Sequence, residues 1–296
     1  MNFPKSYDYD CPITESGNLG GKYHVIRDLL AKHSGKKAPV LFKSPVPDPW
    51  RYHILEPSGF VSLFDALETI NPAKLEEPLP MELIKKPNST DIGEAFGYTY
   101  YSVNVSCSGD DISHLIIKGL TKKLKGRGHF YTGKNEFVKP ILLEDEFSGE
   151  RDEIELKKGL VEFSNFKLNI LTENPGRINF QSATSLDGEY KGLAGKPTLL
   201  PVKPENSKTT CSYGKIWDAY PLPMGKKFID RLAFKLDKNE DFPGFHRFEL
   251  KIRHNPRDTF IDPIASGFTK GVIFINGRNL GRFWRIGPQR NGFKNT

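Results

Sequence analysis

The sequence has 296 residues, of which 37% are hydrophobic and 27% charged, which excludes a disordered chain and leaves room for two domains. There is no run of about 18 apolar residues, so we expect no membrane-spanning helix, and the first residues lack the basic-then-apolar order of a secretion signal. The formal net charge is +7. The basic run at residues 122–127 contains no aromatic residue, so we interpret it as a solvated loop and expect no nucleic-acid partner.

The N-terminal segment predicts a single βα unit over residues 1–34. SYDYD alternates polar and aromatic residues, as a short strand does, and residues 22–33 place Tyr23, Ile26, Leu29 and Leu30 at helical spacing. One such unit cannot bury a core, so it must dock on another structure. Residues 35–79 are rich in proline and predict an extended connecting segment, with one helical turn at residues 64–69.

From about residue 80, short runs of β-forming residues recur about every ten residues, which predicts a sandwich. We assign residues 80–228 to a first sandwich and residues 229–296 to a second, incomplete one. KFIDRLAFKLD and HRFELKIR are expected to be strands of the second sandwich. The stretches YKGLAGKPTLL and IWDAYPLPM are expected to be irregular.

The stretch GVIFINGRNLGRFW predicts a β-hairpin. Asn276-Gly277 favours a type I′ turn, because both residues tolerate positive φ, and Gly281 predicts either a bulge or a close backbone contact in the return strand. Phe283 and Trp284 could stack on a sugar ring, but we interpret them as buried hairpin aromatics.

The three cysteines, Cys11, Cys107 and Cys211, are too far apart for a zinc motif, and we expect no metal and no cofactor. They allow at most one disulfide, and three separate buried thiols is the favoured interpretation. Two sequons, Asn88-Ser89-Thr90 and Asn104-Val105-Ser106, would matter only in a secreted chain.

Four segments, in this order, resemble the C-terminal part of glycoside hydrolase family 35 β-galactosidases. They are SYDYDCPITESGNL with the KY that follows it, LTENPGRINF, WDAYPLP, and DTFID followed by GFTKGVIFINGRNLGRFWRIGPQ. The resemblance implies a mainly β fold. It consists of two jelly-roll sandwiches of the galactose-binding type, the second incomplete, preceded by a βα remnant of a TIM barrel.

The resemblance also implies retaining hydrolysis of terminal β-D-galactose, which needs two carboxylates about 5 to 5.5 Å apart. In the family both glutamates lie on earlier barrel strands. Glu136 and Glu240 in this chain are interpreted as turn residues, so we predict no catalytic residue here and no activity of the chain alone.

The resemblance assigns Tyr7 and Tyr9 to contacts with galactose at the barrel mouth. The expected partners are a β-galactoside or glycan and a TIM-barrel catalytic part, and the expected compartment in an animal is the lysosome or the exterior. Two alternatives stay open: a carbohydrate-binding module without hydrolysis, and a structural subunit that complements a separate barrel.

Overall fold

The computed structural model describes much of the chain, and the structural statements below concern this part. The described residues are 11–13, 19–38, 40, 55–85, 93, 96–109, 115–118, 124–125, 127–133, 141–142, 153–156, 165–174, 176, 190–201, 208–236, 243–252, 261–264 and 266–284.

The chain divides into two compact units, which are described separately. The first is centred on Gly59–His246, and the second consists of Phe3–Ser58 and Arg247–Thr296. The predicted domain boundaries after residues 34, 79 and 228 stay a prediction.

Short strands make up most of the first unit. The strands before residue 150 are β1 (Pro57–Ser62), β2 (Ala73–Leu75), β3 (Gly97–Ser108), β4 (Leu115–Lys118), β5 (Leu124–Lys125), β6 (Arg127–Gly133) and β7 (Ile141–Leu142). Those after it are β8 (Glu153–Leu156), β9 (Asn165–Asn174), β10 (Gly192–Leu193), β11 (Thr198–Pro201), β12 (Thr210–Tyr213), β13 (Trp217–Pro221) and β14 (Gly244–Phe248). Two short helices accompany them, α2 (Leu63–Leu67) and α3 (Lys226–Ile229), and a 3₁₀ turn spans Met81–Leu83.

Within the described residues, seven strands form the largest sheet, in the order β2-β13-β3-β9-β6-β7, with β12 also paired to β3. β3 and β9 are its long central pair and run antiparallel, with Tyr101 opposite Ile170 and Val105 opposite Phe166. A three-stranded sheet has the order β11-β4-β8, and β10 pairs with β5.

One face of the large sheet, called here the inner face, carries the main core. Alternate residues of a strand point to the same side, so Tyr101, Val103, Val105 and Cys107 share this face with the even-numbered residues of β9. They pack against Ile117, Leu193 and Leu199 from the smaller sheets. Two sheets packed face to face form a sandwich, and the prediction of a mainly β fold is confirmed.

The opposite face of the large sheet, called here the outer face, is covered over one half only. There Tyr100 and Leu171 pack with residues of α2 and α3, and the Tyr100 ring lies 6.1 Å from the Tyr220 ring, edge to face. In the other half of the same face, β3 presents Asn104, Ser106 and Ser108 to solvent. The outer face therefore changes from apolar and covered to polar and open along one strand.

The prediction of three separate buried thiols is wrong. β12 pairs with β3 in a register that places Cys211 directly opposite Cys107, and the two form a disulfide on the inner face. Cys11 is a free thiol and is half-buried. Strand pairing brings together two residues that are 104 positions apart in the sequence.

The secondary-structure predictions for three stretches are also corrected. KFIDRLAFKLD begins within helix α3 rather than forming a strand. Phe228 and Leu232 pack into the apolar cluster that covers one half of the outer face. IWDAYPLPM is not irregular, since β13 lies between β2 and β3, with Trp217 fully buried. YKGLAGKPTLL likewise contains β10 and β11.

The second unit contains helix α1 (Gly21–Ser34) and the hairpin of β15 (Lys270–Ile275) and β16 (Arg278–Trp284). The helix matches the prediction for residues 22–33. It ends at Gly35, whose φ of 64° is the left-handed conformation typical of a helix C-terminus. None of the described helices is both long and apolar enough to cross a bilayer. The interpretation of α1 as a barrel remnant stays a prediction.

Candidate functional site

The two tyrosines assigned to galactose contact, Tyr7 and Tyr9, lie outside the described residues. Their proposed role therefore stays a prediction. The carboxylates weighed and set aside as catalytic candidates, Glu136 and Glu240, also lie outside the described part.

Residues 11–13 contact residues 19–20 just before helix α1. The Gly20 amide donates a hydrogen bond of 2.8 Å to the Pro12 carbonyl, and Ile13 forms an antiparallel bridge with Leu19. A Cβ at Gly20 would lie 2.7 Å from the Cys11 carbonyl oxygen, so this close approach requires glycine.

Helix α1 exposes four large aliphatic side chains. Leu29 and Leu30 are 53% and 63% exposed, and Val25 and Ile26 on the same side are also exposed. The structure buries no residue of this helix. A helix of this length is marginal in isolation, and most helical stability in proteins comes from packing of an apolar face. The apolar side of α1 is thus the kind of surface that a neighbouring structure covers.

The hairpin has the turn that its sequence predicts, and of the two alternatives for Gly281 it has the bulge. Asn276 and Gly277 have φ of 50° and 83°, as a type I′ turn requires. The register shifts so that Ile273 lies opposite Gly281 while Phe274 lies opposite Asn279, which leaves Leu280 as the extra residue of a bulge. The Asn279 side-chain oxygen accepts the Gly281 amide at 2.7 Å and holds the bulge.

The aromatic end of the hairpin is buried, as expected. Phe283 and Trp284 are 6% and 9% exposed. The Lys270 ammonium lies 5.4 Å from the centroid of the Trp284 ring, within the range of a cation–π contact. The Phe283 ring lies against Gly271 on the paired strand, where a Cβ would come within 2.9 Å of the ring. These two aromatic faces contact protein and do not form an open platform for a sugar.

A cluster of buried polar groups joins residues 79–82, which precede β3, to the sandwich. The sequence did not predict this cluster. Glu82 accepts two hydrogen bonds, from the Asn174 amide at 2.8 Å and from the Lys191 backbone amide at 2.9 Å. Tyr101 donates to the Leu79 carbonyl at 2.7 Å, and burial raises the pKa of its phenol. The only advance indication was the polar pair Glu173-Asn174 at the end of a β-forming run.

Within the described part of the chain two glutamates are buried, Glu82 and Glu173, and they do not form a catalytic pair. Glu82 bonds to Asn174, an even-numbered residue of β9, whose side chain belongs to the inner face. Glu173 is the adjacent residue of the strand and points to the outer face. Retaining hydrolysis needs two carboxylates on either side of one bond, about 5 to 5.5 Å apart. A sheet between these two side chains excludes that geometry.

Similarity to known proteins is found for the hairpin region and for the chain as a whole. The galactose-binding domain of β-galactosidases matches residues 243–293, which contain the hairpin. Beta-galactosidase-1-like protein 2 of Homo sapiens is 33% identical over 96% of this chain and 40% of its own length. The beta-galactosidase of Xanthomonas manihotis is 30% identical over 96% and 40%, and that of Bos taurus is 26% identical over 98% and 42%.

The chain is similar to the C-terminal portion of β-galactosidases. It spans about 40% of the length of these relatives, and the matched region is their C-terminal part. The galactose-binding domain of these proteins is present at residues 243–293. The chain therefore fits the non-catalytic part of a β-galactosidase.

Proposed function

We propose that this chain is the non-catalytic C-terminal part of a β-galactosidase and that it completes a separate TIM-barrel catalytic part. The family reaction is hydrolysis of terminal non-reducing β-D-galactose residues, and the chain alone does not carry it out. The observation that supports this most is the extent of the match, which covers 96% of the chain but 40% of its human relative.

The exposed apolar side of α1 supports the docking part of the proposal. In a TIM barrel, each helix packs its apolar side on the strand that precedes it and on its neighbours. Val25, Ile26, Leu29 and Leu30 present such a surface. In this proposal the preceding segment supplies the last barrel strand, and Tyr7 and Tyr9 lie at the strand end that faces galactose.

The test is complementation between two polypeptides. The chain is purified alone and is also co-expressed with a barrel fragment that supplies the other seven strands and both glutamates. We expect no hydrolysis of a chromogenic β-galactoside by the chain alone and measurable hydrolysis by the pair.

Variants of α1 test the docking surface. The double variant Leu29→Lys, Leu30→Lys should abolish complementation without lowering the melting temperature of the chain, because both side chains are already exposed. Lys32→Glu, on the same helix, is the matched control and should retain complementation. Turnover by the chain alone, or complementation that is unchanged in the double variant, would contradict the proposal.

The second candidate function is galactose binding without hydrolysis, which the match to a galactose-binding domain favours. It predicts that the melting temperature of the chain rises with galactose and not with glucose, which differs only at one hydroxyl. Because Phe283 and Trp284 are buried, we expect their replacement to act through stability and not through ligand affinity. A galactose-dependent rise in a chain that fails complementation would support this second function over the first.

A further inference from the structure

We propose that Asn104 is an N-glycosylation site and that the chain folds in an oxidising, secretory compartment. This inference does not depend on the proposed function. It rests on a sequon, on the open half of the outer face, and on the disulfide at the end of the same strand.

The sequon Asn104-Val105-Ser106 lies on a strand with the required residues accessible. Asn104 and Ser106 are both exposed, while Val105 between them is fully buried on the inner face. The side chain that carries the glycan and the hydroxyl that the transferase recognises therefore point the same way, to solvent. Within the described part of the chain, the Asn104 side-chain amide makes no hydrogen bond.

The surface around Asn104 leaves space for a bulky polar group. Its cross-strand neighbour on β9 is Lys167, and the other strand residues that share this open half are polar and exposed. These residues are Ser106, Ser108, Asn165, Thr210 and Ser212. On the other side of Asn104 lies Gly214, where an added Cβ would come within 3.6 Å of the Asn104 Cβ. The absence of a side chain there keeps the approach to Asn104 open.

The disulfide supplies an independent observation about the compartment. Cys107 follows the sequon directly and is bonded to Cys211. Disulfides form and persist in the endoplasmic reticulum and outside the cell, and they are rare in the cytosol. Oligosaccharide transfer to sequons takes place in the same oxidising lumen, so the two features require the same location.

The transfer step needs a lipid-diphosphate-linked oligosaccharide as donor. A bond forms between the Asn104 Nδ2 and the anomeric carbon of the first sugar, and the bond from that carbon to the diphosphate oxygen breaks. The lipid diphosphate leaves with the bonding electron pair, and the amide nitrogen loses one proton to a base of the transferase. The chain supplies only the acceptor amide and the Ser106 hydroxyl.

The experiment uses the full chain behind a cleavable signal sequence in cultured eukaryotic cells. The chain is collected from the medium and from cell membranes, because a retained chain has also met the transferase. Peptide N-glycosidase converts each glycan-bearing asparagine to aspartate, and peptide mass spectrometry locates it. We expect aspartate at position 104, and we expect Asn104→Gln and Ser106→Ala each to lose one glycan.

Matched variants distinguish the effect of losing the sequon from the effect of changing the surface around it. Ser106→Thr keeps the sequon and should keep the glycan, and Ser108→Ala changes an exposed neighbour outside the sequon and should also keep it. The second sequon, at Asn88, lies outside the described residues, and Asn88→Gln isolates the signal from Asn104. An unmodified Asn104 in the Asn88→Gln chain, whether secreted or retained, would overturn the inference.

Discussion

Loss of the disulfide between Cys107 and Cys211 should strongly destabilise the first unit. Two perturbations remove it: reduction of the unaltered chain, and the double variant Cys107→Ala, Cys211→Ala. Reduction removes the cross-link and keeps both sulfur atoms in place. The double variant also removes two sulfur atoms that pack in the core of the inner face, so it should be the more damaging change.

The magnitude follows from the length of the closed loop. The cysteines are 104 residues apart, and a cross-link over a loop of that size restricts the unfolded chain by about 4.7 kcal/mol in the chain-entropy relation. Removal of native disulfides typically costs about 2–5 kcal/mol. We therefore expect reduction to lower the free energy of unfolding by about 3–5 kcal/mol.

Denaturant titration of the oxidised and reduced chain measures this difference, and thiol titration of the unfolded, unreduced chain measures the bond itself. One free thiol per chain is expected, from Cys11. Cys11→Ala is the control and should leave the effect of reduction unchanged. Three free thiols, or a change below about 0.5 kcal/mol on reduction, which is the scatter of neutral surface substitutions, would refute the reasoning.

Three further predictions concern the buried polar cluster, the hairpin and alkaline pH. Glu82→Ala removes the two hydrogen bonds that this buried carboxylate accepts and should lower the free energy of unfolding by about 2–4 kcal/mol, whereas exposed Glu77→Ala should be neutral in the same denaturant titration. Gly271→Val should displace the Phe283 ring and cost about 1–3 kcal/mol by overpacking, seen as a lower melting temperature; unchanged melting would contradict the packing described. Burial raises the pKa of Tyr101 above its ordinary value of 10.0, so the unfolded chain releases this proton first. Stability should then be level below pH 10 and fall as the pH rises above it, and a denaturant titration series that stays level to about pH 11 would contradict this.

The hairpin and helix α1 could be predicted because local chemistry determines them. Asn276 and Gly277 both accept positive φ, and the observed turn has positive φ at both. The apolar spacing of residues 22–33 predicted a helix, and α1 spans Gly21–Ser34. In each case the information lies within a few residues, so neither strand pairing nor tertiary packing had to be known.

The disulfide and β13 could not be predicted from local pattern, because their environment depends on distant partners. Cys107 and Cys211 meet only through the register of β3 and β12. WDAYPLP appears irregular in isolation because it ends in prolines, yet β13 is held between β2 and β3, with Pro221 at its end, where a missing amide donor is tolerated.

The same dependence on register decides the chemistry of the buried glutamates. A list of acidic residues by sequence cannot separate Glu173 from a catalytic candidate, since burial of a carboxylate is common to both roles. Strand parity separates them: Asn174 contributes to the inner face and binds Glu82, so Glu173, one position earlier, projects from the other face. A one-residue shift of β9 against β3 would move the Glu173 side chain to the inner face and the Asn174 side chain to the outer face. It would also place Leu171 and Ile170 on the wrong faces. The hydrophobic pattern that fixes the sandwich therefore also keeps the two carboxylates apart, and the same packing assigns them to structure rather than to catalysis.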